Sequence, residues 1–192
     1  MTDDMDETAR AEFLLMKLLR TRWGSFSSVF LRYALALGFL SAVADRFGLW
    51  GSFGQPNVAW GSFSRFLEYT HRLNWYLPAG MILPLGVITT GAELLFGLLL
   101  LVGWHTRITA LLSGLLLMLF GLAMTLVLGV EAPLNASVFP AAGGALLLAH
   151  SERFPFSVDD LPFRRRRTGR EIAGSVYQRS PPERRINFKE IR

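Results

Sequence analysis

The feature that most constrains this chain is the apolar stretch from residue 108 to residue 130, ITALLSGLLLMLFGLAMTLVLGV, which contains no charged side chain. An α-helix rises about 1.5 Å per residue, so this stretch would be about 34 Å long, and the hydrocarbon core of a bilayer is about 30 Å thick. A helix also satisfies its own backbone amides, as lipid requires. The stretch therefore predicts a transmembrane helix.

Three further apolar segments cover residues 26 to 44, 79 to 103 and 133 to 149. The last one is short, with Pro133 and Pro140 near its outer half, so the sequence leaves open whether this span is kinked or extends to His150. The connection between the second and third spans is so brief that it predicts a tight helical hairpin. The sequence therefore predicts an all-α membrane protein, a four-transmembrane-helix bundle.

Basic residues beside these segments indicate their orientation. Lys17, Arg20 and Arg22 precede the first span, Arg107 lies in the hairpin, and four consecutive arginines occupy residues 164 to 167. Cytoplasmic loops and tails of membrane proteins collect Lys and Arg. This predicts that both termini are cytoplasmic, and it explains the net charge of +5 without a nucleic-acid partner.

Residues 1 to 25 are predicted to form an amphipathic cytoplasmic helix. Apolar side chains recur at Leu14, Leu15 and Leu18 with helical spacing, and the acidic start lacks the features of a secretory signal. Such a helix lies on the inner membrane surface or packs against protein.

The membrane domain is predicted to cover residues 26 to 150, with one long outer loop inside it and a tail after it. Residues 48 to 78 form an outer aromatic loop with a short helix within 58 to 73, which is either a surface connector or a lid over the bundle. Residues 151 to 192 form a basic cytoplasmic tail that is extended unless a partner orders it.

Composition excludes several kinds of chemistry. The chain has no cysteine, so it cannot supply a thiol nucleophile, a disulfide or an iron–sulfur cluster. His71, His105 and His150 lack the spacing of a metal motif, and no metal site is predicted. A bound organic cofactor is still compatible with the sequence.

Glu93 is the outstanding candidate for a functional residue, because an ionisable side chain inside a membrane span is costly and is often functional. Thr90 lies one turn away on the same helical face. Arg32, near the start of the first span, is estimated to lie about 6 Å from the level of Glu93 along the helix axis. The sequence predicts that Glu93 and Arg32 form a buried pair or frame a polar pocket. The alternative is that Arg32 extends to the interface and a protonated Glu93 only joins helices.

Small residues at regular spacing predict where the helices approach one another. They line the second and third spans as Gly86, Gly97, Gly114 and Gly121.

Residues 84 to 118, PLGVITTGAELLFGLLLLVGWHTRITALLSGLLLM, resemble the central hairpin of the DoxX/DoxD-like family. The shared pattern is a Gly-x-Glu within a span, here Gly91 to Glu93, followed by a Gly-x-x-Thr-Arg turn, here Gly103 to Arg107 with His105 and Thr106. The similarity extends over about residues 26 to 149, including Arg32. The aromatic loop, the N-terminal helix and the arginine-rich tail depart from the family pattern.

The resemblance implies a subunit of a membrane oxidoreductase or respiratory system in a bacterial or archaeal cytoplasmic membrane. It implies quinone as the candidate ligand near Glu93, Thr90 and Arg32, and other membrane or cytoplasmic protein subunits as partners besides the lipid bilayer. The competing interpretation is a non-catalytic structural subunit docked on a larger complex. A small-solute transporter is a third class, which the absence of a visible internal repeat disfavours.

Overall fold

The computed structural model describes residues 2–151 and 154–160. These residues form six α-helices and two short 3-10 turns, with no β-strand among them. The helices are α1 (Thr2–Arg46), α2 (Phe63–Leu73), α3 (Ile82–Val102), α4 (Thr106–Leu128), α5 (Glu131–Asn135) and α6 (Val138–Ala149). The predicted all-α class is confirmed.

Three helical stretches in the described part of the chain are long and apolar enough to cross a membrane. They are Gly24–Arg46, Ala79–Val102 and Thr106–Leu128, and they match the first three predicted spans to within a few residues. Their outer faces carry large exposed apolar side chains, such as Leu119 and Leu126, which is the pattern of helices solvated by lipid. The fold is therefore consistent with a membrane protein.

The predicted fourth span differs from the structure. Residues 133 to 149 are not one helix, because α5 ends at Asn135 and α6 begins at Val138. Ser137 between them has a left-handed backbone, with φ of 54°. Pro140 explains the break, since it has no N–H to donate to the carbonyl of Ala136 and is tolerated in the first turn of a helix. At 12 residues, α6 is about 18 Å long, shorter than a bilayer core.

The N-terminal boundary also differs from the prediction. Helix α1 runs without a break from Thr2 to Arg46, so residues 1 to 25 are not a helix separate from the first span. The chain contains no proline before residue 56, and therefore nothing near residue 25 interrupts the backbone hydrogen bonds. Whether the first part of α1 lies on a membrane surface stays a prediction.

Helix pairs α1 with α3 and α4 with α6 make the most extensive contacts. Helix α3 runs antiparallel to α1, with Gly97 against Ala36 and Leu40, and Gly103 against Arg32. Where the pairs meet, alanine, leucine and phenylalanine side chains form a buried core. Its members are Leu35, Ala36, Phe39, Leu100, Ala110, Ala145, Leu148 and Ala149.

The bundle has two ends, which we name by their connections. The loop end carries residues 47–81, including α2, whose N-terminus is capped by the Ser62 hydroxyl accepting from the Arg65 amide. The short helix predicted within residues 58 to 73 is present there and begins at Phe63. The hairpin end carries residues 103–105 between α3 and α4, together with residues 150–151 and 154–159.

Candidate functional site

A buried ion pair joins α1 to α3 beneath the loop end. Nη2 of Arg46 lies 2.6 Å from Oε2 of Glu93, and Nη1 of Arg46 donates to the Thr90 hydroxyl at 2.8 Å. Arg46 is 2% exposed and Glu93 is 3% exposed, so water screens the pair very little. Because Thr90 and Glu93 lie one turn apart on α3, a single guanidinium contacts both.

Aromatic rings cover this guanidinium from the side of α2. The Arg46 guanidinium carbon lies 3.7 Å from the centre of the Phe66 ring and 5.4 Å from that of Trp60. Both are cation–π contacts, which strengthen when the cation is removed from water. The two rings also contact each other edge to face, with centroids 5.4 Å apart. Helix α2 and Trp60 therefore close the site from the loop end.

Asp45 fixes the position of Trp60. Its Oδ2 accepts a hydrogen bond from the Trp60 backbone N–H at 2.8 Å, and the residue is 5% exposed. The neighbouring residues Asp45 and Arg46 thus act on the same aromatic residue, one through its backbone and the other through its ring.

Two buried polar atoms at this site have neither a hydrogen-bond nor an ion-pair partner among the described residues. They are Nε of Arg46, a donor, and Oδ1 of Asp45, an acceptor. A buried polar group without a partner costs about 1–3 kcal/mol. The site therefore has one unused donor and one unused acceptor, which could bind a small polar group.

Helix α2 lies close to α3 at this end. A Cβ added at Gly86 would collide with the Leu67 side chain, so glycine at this position permits the approach. On α2, burial raises the pKa of the Tyr69 phenol, and the charge of Arg72 lowers it.

The predicted pairing of Glu93 with Arg32 does not occur, because Glu93 forms its ion pair with Arg46. Arg32 is also buried, at 1% exposure, but its guanidinium donates to the backbone carbonyls of Phe156 at 2.7 Å and Pro155 at 3.4 Å. Arg32 lies beside Gly103, which directly follows α3 and is ten residues after Glu93. Ten residues correspond to about 15 Å of helix, which no arginine side chain spans.

The remaining predicted glycines lie between helices. A Cβ at Gly97 would lie 2.9 Å from Leu40 of α1, one at Gly114 would lie 2.8 Å from Leu146 of α6, and one at Gly121 would lie 2.6 Å from Phe139 of α6. The inner-turn residues His105, Thr106 and Arg107 lie at the hairpin end, far from Glu93 along α3. The structure therefore separates the predicted inner turn from the predicted ligand site.

Arg46, Asp45 and Trp60 belong to the site, yet none of the three was predicted from the sequence as a site residue. One signal was available, because Asp45 and Arg46 are adjacent charges directly after the charge-free stretch from residue 33 to residue 44. Charges at that position normally extend to the membrane interface. The two adjacent charges therefore indicate the end of a membrane span more directly than they indicate a functional site.

Comparison with known proteins gave no relative from which to assign a function. No protein family, no curated protein and no solved structure matches this chain.

Proposed function

We propose that this protein is an integral membrane accessory subunit of an oxidoreductase or respiratory system, similar to the DoxX/DoxD-like family, and that it has no catalytic activity of its own. The observation that carries the proposal is the Arg46–Glu93 pair. Glu93, the one carboxylate in α3, is neutralised by an arginine of α1, and the rings of Phe66 and Trp60 cover that arginine. A carboxylate used in this way joins helices and specifies their register, as buried polar pairs do in other helix assemblies.

The proposal includes four membrane passes with both termini on the cytoplasmic side of a bacterial or archaeal membrane. Helices α5 and α6 together, residues 131–149, form the fourth pass as a broken helix, a form that occurs where neighbouring protein satisfies the free backbone groups. The basic residues Lys17, Arg20, Arg22 and Arg107 support the orientation.

The second candidate function, quinone binding at this site, is favoured by the two polar atoms that lack partners. Nε of Arg46 could donate to a quinone carbonyl, and Oδ1 of Asp45 could accept from a quinol hydroxyl. Thr90 and Glu93 hold the guanidinium in place for this role. A ring could reach these atoms only if α2 or Trp60 moved aside.

The test is purification from native membranes in mild detergent, followed by mass spectrometry of the associated proteins and of the extracted lipophilic molecules. The comparison uses the wild type, Glu93→Gln and a matched control, Glu68→Gln. Glu68 belongs to an exposed ion pair with Arg65 on α2, where its side chain is 65% exposed.

For an accessory subunit, we expect a partner protein in fixed ratio in the wild type and in Glu68→Gln, without retained quinone. Quinone enriched in the wild type and in Glu68→Gln but lost in Glu93→Gln would instead support the second candidate. Purification of the chain alone, without partner or quinone, would contradict both.

A further inference from the structure

Residues 154–159, which we call the strap, fold back onto the hairpin end of the bundle. Arg32, buried in α1, donates to the carbonyls of Phe156 and Pro155. Ser157 packs directly on Gly103, where an added Cβ would collide with it. The start of the predicted tail is therefore part of the packed bundle, and a buried cation from the first span holds it.

Asp159 binds the C-terminal part of the strap to the start of α4. Its two carboxylate oxygens accept from the backbone amides of His105 at 3.0 Å and Thr106 at 2.8 Å, at the start of α4. Its own amide donates to the carbonyl of Gly103 at 3.2 Å. A carboxylate at a helix N-terminus satisfies amides that have no partner within the helix and also interacts favourably with the helix dipole.

Between these two attachments the strap presents apolar side chains outward. Phe156 has φ of 55°, which is uncommon for a bulky residue, and the residue is 80% exposed. Val158 lines an apolar groove of about 280 Å³ with Leu98, Leu99, Val102 and Trp104. An unfavourable backbone conformation, held by a buried arginine, thus turns a large apolar ring away from the protein.

We propose that the strap is an interfacial anchor whose outer side, Phe156 and Val158, inserts into the bilayer at the boundary between headgroups and acyl chains. The groove that contains Val158 continues along the outward face of α3, through Val102 and Leu98, and this face meets lipid if α3 spans the membrane. Trp104, 53% exposed, is of the residue type enriched at that boundary.

Charge supports lipid as the occupant. Arg107 is exposed at the same end, with its guanidinium donating to the Ser151 carbonyl at 3.1 Å. In sequence, four arginines at residues 164 to 167 follow the strap closely. Basic residues beside inserted apolar groups strengthen binding to anionic lipid. The inference rests on the membrane insertion included in the proposed function but not on a redox role or a particular orientation.

The test uses site-directed spin labels, since a chain without cysteine accepts single-cysteine variants directly. Phe156→Cys, Leu98→Cys and Glu68→Cys are labelled in the full chain and reconstituted into nanodiscs containing anionic lipid. Collision with oxygen reports lipid, and collision with a soluble nickel chelate reports water. Leu98 is the reference for lipid and Glu68 the reference for water.

We expect the label at residue 156 to collide with the nickel chelate several-fold less often than the label at residue 68. Equal accessibility at residues 156 and 68 would overturn the proposal, while a lipid-exposed label at residue 98 would show that insertion itself holds. If the label at residue 98 were also exposed to water, the proposed function would fail together with the anchor.

A second substitution tests whether the strap holds the ring in place. In the Phe156→Cys background, Asp159→Ala should move the label toward water, whereas the neighbouring Asp160→Ala should leave it unchanged. Unchanged lipid contact in Asp159→Ala would contradict the role of the strap in positioning residue 156.

Discussion

Arg46, the last residue of α1, forms an ion pair with Glu93 in the middle of α3, at 2.6 Å between Nη2 and Oε2. The contact is possible because α1 and α3 are antiparallel and Gly97 brings them close, so the long arginine side chain reaches along α3 past Thr90 to Glu93. The pair therefore ties the loop end of α1 to the interior of the bundle, beneath α2.

Removing one member of this pair should destabilise the protein strongly. Glu93→Gln leaves the Arg46 cation buried without a counter-charge, which typically costs about 3–5 kcal/mol. Glu68→Gln, which breaks an exposed pair, should cost less than about 1 kcal/mol. Unfolding by SDS in mixed micelles, followed by circular dichroism, measures both. Equal stability of the two variants would show that the pair contributes nothing to the fold.

Glycine at residue 97 should be required for the contact of α3 with α1. In Gly97→Ala the new methyl group would lie 2.9 Å from Leu40 and 3.3 Å from the carbonyl of Ala36, and overpacking of this kind costs about 1–3 kcal/mol. Gly91 on the same helix has no atom within 4 Å of an added Cβ, so Gly91→Ala is the matched control. The same SDS titration should separate them, and an equally stable Gly97→Ala would contradict the observed register.

The ring of Phe66 should stabilise the closed site through the Arg46 guanidinium. Phe66→Leu keeps an apolar side chain but removes the cation–π contact at 3.7 Å, an expected loss of about 1–2 kcal/mol. Phe53→Leu removes the corresponding contact with the exposed Arg65 and should cost less than about 1 kcal/mol. Hydrogen exchange of the α2 amides should accelerate in Phe66→Leu only. Slow exchange in both variants would mean that α2 is held by other contacts.

The carboxylate of Asp159 should protect the start of α4. Asp159→Ala removes the acceptor of two backbone amides, those of His105 and Thr106, with an expected loss of about 1 kcal/mol, as for other helix caps. These amides should exchange faster with solvent in Asp159→Ala than in the Asp160→Ala control. Identical exchange in the two variants would exclude the capping role.

Tyr69 should ionise at higher pH than an ordinary tyrosine. Burial raises its pKa above 10.0, because the folded protein disfavours the charged phenolate. A folded pKa above the unfolded value means that the contribution to stability is fully present below about pH 10 and is lost as pH rises through the folded pKa. The difference in ultraviolet absorbance between wild type and Tyr69→Phe during titration gives the midpoint. A midpoint at or below pH 10 would contradict the burial of this phenol.

The sequence alone determined the secondary-structure class and the three long apolar helices, because hydrophobic length and local hydrogen bonding suffice to specify a helix in lipid. It also identified Glu93, Thr90 and the four predicted glycines as residues on the helix faces that approach other helices. It offered a kink in the fourth span as one alternative but did not predict two separate helices, since the effect of Pro140 depends on which turn of the helix it occupies.

Only the tertiary structure decided which arginine meets Glu93. The estimate from sequence placed Arg32 within about 6 Å of the level of Glu93 by counting residues from the ends of apolar segments. The register of α1 against α3 instead depends on where Gly97 and Gly103 admit side chains of α1, and it puts Arg32 at the hairpin end and Arg46 within reach of Glu93. Packing between the helices sets this register, because both spans are apolar along most of their length. Hydrophobicity therefore does not favour one axial position of α1 against α3 over another.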